Sequence, residues 1–81
     1  MADRITELVA KALRVDPVQV VEGLEFQSIP EWDSLGHAGL MLALEDEFGV
    51  RVTDDLAMDL TSLRAIRTFV ADRSEEPRAG A

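Results

Sequence analysis

The chain has 81 residues, no cysteine, no tyrosine, a single histidine and a formal net charge of −8. Disulfides and thiolate metal sites are excluded, little is left for acid–base chemistry near neutrality, and nucleic acid and anionic membrane surfaces are poor partners. A domain of this size buries only about 60% of its unfolded surface and must rely on well-packed helices. In chain order, "DRITELVAKALRV" sets Ile5, Leu8, Val9, Ala12 and Leu13 on one helix face, with Asp3 as a start cap and Arg14 suited to the C-terminal end. "VDPVQV" breaks that period, and Asp16-Pro17 reads as a turn or the start of a short helix. Residues 22–33 show no sustained period. Leu24, Phe26, Ile29 and Trp32 are expected to pin this long loop over the bundle.

A second helix is expected from Ser34 to Phe48, closed by Gly49. "VRVTDDLAMDL" gives a short extended link and a brief helix near Asp54 to Asp59. The last helix follows in "LTSLRAIRTFVADR", capped by Thr61 or Ser62, with Leu63, Ile66, Phe69 and Val70 on its apolar face. The fold class is therefore all-α: three main helices and one short one, with a long loop between the first and second. Residues 1–73 form the expected domain and 74–81, "SEEPRAGA", a flexible polar tail.

Wound at about 100° per residue, the second helix has two apolar sides. Leu40, Met41, Leu44 and Phe48 form a core face; Leu35, Ala38 and Leu42 fall opposite, beside Glu45 and Asp46. A helix at the edge of a small bundle buries one stripe, so the second is either covered by the long loop or exposed as a docking strip bordered by acids. Gly36 and Gly39 each cost about 1 kcal/mol relative to alanine, which suits a close backbone approach or slack at the helix start. His37 reads as a solvated residue of the first turn. Charge is unevenly spread: residues 16–59 hold eleven acids and one base, Arg51, whereas the rest hold five acids and seven bases. The anionic middle suits either solubility or basic partners.

Ser34 follows Asp33 at the start of this helix, where either residue can be a cap. The same position has free amides and the positive end of the helix dipole, so a hydroxyl there is also well placed to carry a phosphodiester. Local physics leaves both readings open.

Asp33-Ser34-Leu35, followed by "LMLALEDEFGVRVTDD" and "DLTSLRAIRTFV", resembles the acyl carrier proteins, the phosphopantetheine-binding family of fatty acid, polyketide and related pathways. The resemblance runs from Asp33 to Val70, and "LRVDPVQV" fits the end of the first helix and its turn. It implies that Ser34 is the attachment point for 4′-phosphopantetheine, taken from coenzyme A by a phosphopantetheinyl transferase with magnesium. Acyl groups would ride as thioesters on the thiol of that arm. The chain would be a carrier and not an enzyme, with no metal site of its own. Asp33, Leu35, Ala38, Leu42, Glu45 and Asp46 match the surface the family presents to acyl-loading enzymes, ketosynthases, acyltransferases and similar partners.

Two departures bear on partner choice. Gly39 stands where many relatives have glutamate, and Gly36-His37 replaces a more usual Asp-Thr pair. The wording "WDSLGH" is similar to freestanding carriers of specialised bacterial pathways and differs from the Gly-Gly-His-Ser-Leu of peptidyl carriers. A peptidyl or aminoacyl carrier, or an unmodified helical adaptor using the same face, are the alternatives. "DEFGVRVTDD" lacks the alternating oxygen ligands of a calcium loop. With no signal peptide and no apolar run long enough to cross a bilayer, a cytoplasmic, freestanding monomer is expected, with no nucleic-acid or membrane partner.

Overall fold

A computed structural model of the chain describes residues 3–75, with side chains described as far as Arg73. Helix α1 spans Arg4–Leu13. Asp3 caps it, its carboxylate accepting from the Thr6 amide at 2.8 Å. Hydrogen bonding from the Thr6 amide lowers the Asp3 pKa from its ordinary 3.8; desolvation opposes this, and the Thr6 hydroxyl and the Arg67 charge assist. Arg14 ends α1 in the left-handed region, at φ 61°, with its amide turned back to the carbonyls of Ala10 and Lys11. Ile5, Leu8, Val9, Ala10 and Leu13 are buried, so Ala10 completes the core face and Ala12 lies at its margin.

The Asp16-Pro17 start becomes one 3-10 turn, Pro17–Gln19. The Asp16 carboxylate accepts from the Val18 amide, and the Gln19 side chain accepts from the Asp16 amide. The connection that follows is ordered by its own contacts. Leu24 and Trp32 are buried and Phe26 and Ile29 half-buried, as their apolar character led us to expect. The Phe26 amide donates to Thr61 O at 2.8 Å and the Leu63 amide to Leu24 O at 2.9 Å, pairing the loop with the approach to the last helix. Both the Ser28 hydroxyl and its amide donate to Glu25 O, which closes a turn inside the loop.

Helix α2 spans Ser34–Phe48 and stops at Gly49, whose φ of 64° is a conformation glycine adopts without cost. It buries Leu40, Met41 and Leu44 and packs along α1. Helix α3, Asp54–Asp59, is capped by the Thr53 hydroxyl, which accepts from the Leu56 amide. Helix α4 covers Leu63–Glu75, two residues past the expected end of the domain. The Ser62 hydroxyl caps it by accepting from the Ala65 amide at 3.0 Å. Leu63, Ile66 and Val70 are buried and Phe69 half-buried, completing the core around Trp32, Leu40 and Leu44. Most of the expected tail, from residue 76, lies outside the described residues.

Arg67 links three segments. Its guanidinium lies 3.0 Å from Asp3 and from Glu22, and donates to the Thr6 hydroxyl. The first turn of α1, the long loop and α4 are thus held by one side chain. No helix among the described residues is long and apolar enough to cross a membrane.

Candidate functional site

The start of α2 settles which of two neighbouring residues is the cap. Asp33 has extended backbone, and its carboxylate accepts from the Gly36 amide at 2.8 Å while its carbonyl accepts from the His37 amide. Ser34 is then the first helical residue, exposed, and its hydroxyl has no hydrogen-bond partner among the described residues. A hydroxyl released from capping, at the N-terminal end of a four-turn helix, can accept a covalent phosphoryl group next to a favourable dipole.

Gly36 lies behind this position. A Cβ there would run into the Glu31 carbonyl oxygen and meet Leu13 Cδ2 at 3.2 Å. The close approach that glycine permits is therefore made by the chain's own loop. Gly39 has nothing within 4 Å of a notional Cβ and is open to the outside.

His37 corrects the sequence reading: it is half-buried and engaged at both ring nitrogens. Trp32 Nε1 lies 3.0 Å from Nδ1, and Nε2 lies 2.8 Å from Ala57 O of α3. Indole nitrogen only donates and a carbonyl only accepts, so this pairing requires a neutral imidazole with its proton on Nε2. Phe26 meets the ring edge-on, with centroids 5.4 Å apart. The signal was present in the register, since 37, 40, 41, 44 and 48 share one helical face; judging the residue by polarity hid it.

From Ser34 a groove of about 410 Å³ runs between α2 and α3, lined along its length by His37, Met41, Leu42, Val52 and Ala57. On the outward side of α2, Leu35 is 82% exposed and Leu42 66%. Ala38, Asp33 and Asp46 are exposed beside them. The loop therefore does not cover the second apolar stripe. Glu45 differs from the other acids: it is half-buried, and its carboxylate accepts from the Val52 amide at 2.8 Å, holding the link between α2 and α3. Among the described residues no cluster of His, Asp and Glu could hold a metal ion.

The family described as a phosphopantetheine attachment site matches residues 3–70, nearly the whole described fold. The chain is 34% identical over 71 residues to the acyl carrier protein of Thermosynechococcus vestitus, covering 88% of each sequence. The chain belongs to the acyl carrier protein family. It is also 34% identical over 74 residues to acyl carrier protein 3, mitochondrial, of Arabidopsis thaliana, covering 91% of this chain and 55% of that relative. Acyl carrier proteins are carriers and not enzymes, and their cofactor is covalently attached 4′-phosphopantetheine. An exposed, unengaged serine hydroxyl at a helix start is chemically suited to that attachment, which asks for a nucleophilic oxygen and room around it.

Proposed function

We infer that Ser34 is the residue that carries 4′-phosphopantetheine and that the chain ferries acyl groups among the enzymes of a biosynthetic pathway. The observation that supports this most strongly is the division of labour at the start of α2, where Asp33 caps the helix and leaves the Ser34 hydroxyl exposed and unbonded. In the transfer, Ser34 Oγ forms a bond to the β-phosphorus of coenzyme A as the pyrophosphate bond breaks. The hydroxyl proton is lost and the adenosine bisphosphate leaves. When attached, the group supplies a terminal thiol for thioester chemistry. The protein supplies a fixed start point, the N-terminal helix field that favours the phosphodiester, and a groove running from that point between α2 and α3.

The partners are a phosphopantetheinyl transferase and acyl-loading, ketosynthase or acyltransferase enzymes. They would read the outward face of α2: Leu35, Ala38 and Leu42 as its apolar strip, Asp33 and Asp46 as the acids for basic partner residues. Glu45 adds charge while bonded inward. The "WDSLGH" wording favours a specialised polyketide- or fatty-acid-like pathway of a bacterial cytoplasm over a housekeeping one.

Site mapping tests the assignment. No lysine or arginine lies between Arg14 and Arg51, so trypsin releases residues 15–51 of the modified protein in one piece. Fragmentation of that peptide should place the added mass on Ser34; mass on Ser28, or on a peptide elsewhere in the chain, would refute it.

A further inference from the structure

Arginine does not lose its proton in a protein, so of the eight lysine and arginine side chains only one can act as an amine nucleophile: Lys11, the single lysine. The other strong acyl acceptors are missing or occupied. There is no cysteine, and the one histidine is engaged at both ring nitrogens. Lys11 is exposed near the end of α1, and its ammonium has no ion pair or hydrogen bond among the described residues.

Helices α1 and α2 run antiparallel. Leu13 lies against Gly36 at one end of their seam, and Arg4 bonds Glu47 at the other. Lys11 therefore stands level with Gly39, and both line a groove of about 470 Å³ in that seam. Gly39 also lines an adjoining groove of about 570 Å³ that begins at Asp33 and Leu35, the neighbours of Ser34 in the chain. Ala12 is shared as well, so the two make one trough from the attachment end of α2 to Lys11, on the side of α2 that faces α1. A glycine inside a helix costs about 1 kcal/mol relative to alanine, and no atom of this chain would meet a Cβ at position 39. What the missing side chain leaves open is the floor of the trough.

The distances suit a tether. From Ser34 to Gly39 is about 7.5 Å along the axis of α2. Packed helix axes lie about 8–10 Å apart, so the step from Ser34 to Lys11 is roughly 12 Å. A phosphopantetheine arm has about 14 bonds between Oγ and sulfur and spans roughly 16 Å, the reach of between four and five extended residues.

We propose that Lys11 is a site of N-acylation, which takes the acyl group from the chain's own arm along the trough between α1 and α2. Capture from the arm rests on the assignment of Ser34. Having lost one proton to solvent, Lys11 Nζ attacks the thioester carbonyl. The N–C bond forms, the C–S bond breaks, and a proton passes from nitrogen to sulfur, giving an amide and the free thiol. The amide removes the positive charge of Lys11.

Protein loaded from hexanoyl-coenzyme A by a phosphopantetheinyl transferase with magnesium tests this. Hydroxylamine removes thioesters and spares amides, so acyl mass that survives it on the intact protein reports capture. Trypsin does not cut at an acylated lysine. Fragments 5–11 and 12–14 should therefore give way to one fragment, 5–14, carrying the acyl mass. Lys11→Arg should retain none after hydroxylamine. Gly39→Gln, whose side chain would fill the floor of the trough, should slow capture several-fold, followed on protein already loaded so that the loading rate does not enter. Isotope-labelled Ser34→Ala, mixed in at equal amount, has the same lysine and no arm. A tethered group acts at an effective concentration in the millimolar range, so at micromolar protein the lysine of that chain should be acylated roughly tenfold more slowly or less. Loading without a resistant acyl group on Lys11 would overturn the proposal, as would equal acylation of the armless chain or an unchanged rate in Gly39→Gln. A wild type that takes up no mass would refute the Ser34 assignment, and the capture with it.

Discussion

At the start of α2, aspartate and serine are both competent caps, and which one takes the role decides what the other is free to do. Asp33 accepts the Gly36 amide, so the Ser34 hydroxyl is left exposed and out of the cap. The motif was legible in the sequence, but the choice of cap was not, because it depends on the backbone angle at Asp33. The two helix glycines part company in the same way. Gly36→Ala should destabilise by about 1–3 kcal/mol in urea unfolding, because the new methyl group meets the Glu31 backbone, which cannot rotate away. Gly39→Ala meets nothing and should stabilise by about 0.5–1 kcal/mol through helix propensity alone. Equal effects at the two positions would contradict the packing described.

Asp3 yields a pH prediction at the same scale. Its native pKa is lowered, chiefly by the bond from the Thr6 amide, so its contribution is present above the ordinary value of 3.8 and is lost as pH falls through the lower native value. Asp3→Asn keeps a weaker capping oxygen. It should therefore cost a few tenths to about 1 kcal/mol at neutral pH, the modest sum expected at an exposed cap, and the difference should close in acid. A gap that widened on acidification would reverse the sign of the linkage.

Among the elements, α2 carries the unusual load. Its inward face packs the core, and its outward face keeps Leu35 and Leu42 in solvent. Periodicity made both faces legible. It could not separate Glu45 from Asp46, because the bond from the Val52 amide depends on how the chain returns after Gly49. The distinction predicts different phenotypes. Asp46→Lys should slow transferase and partner reactions with unfolding unchanged within about 0.5 kcal/mol, as for other exposed sites. Glu45→Lys should slow them too, but also lose about 1 kcal/mol as Val52 loses its acceptor. Stopped-flow modification rates and urea titrations of both variants check this; an unchanged rate in Asp46→Lys would remove that acid from the docking face. The long loop was legible only as pinned by its apolar residues. Its pairing with Thr61 and Leu63, and His37's reach to Ala57, join positions twenty or more residues apart, which no local pattern encodes.

Across the whole molecule, the charge imbalance resolves into a structural part and a surface part. Asp3 and Glu22 are drawn onto Arg67, and Arg4 pairs with Glu47 at 2.7 Å, so several acids are neutralised inside the fold's own framework. Replacing Arg67 by Met should lower stability by about 1 kcal/mol, with the loss shrinking in high salt, since its partners are largely exposed. Asp46 on α2 and Asp54, Asp55 and Asp59 on α3 are left exposed. The order of helices and the Asp33-Ser34-Leu35 motif, both legible in the sequence, are enough to mark the family. One oxygen atom, Ser34 Oγ, is the proposed point of attachment. Incubated with coenzyme A, magnesium and a broad-specificity phosphopantetheinyl transferase, the wild-type protein should gain the mass of one phosphopantetheine, read on the intact protein, and Ser34→Ala should gain none. An unmodified wild type, or an equal gain in Ser34→Ala, would contradict it.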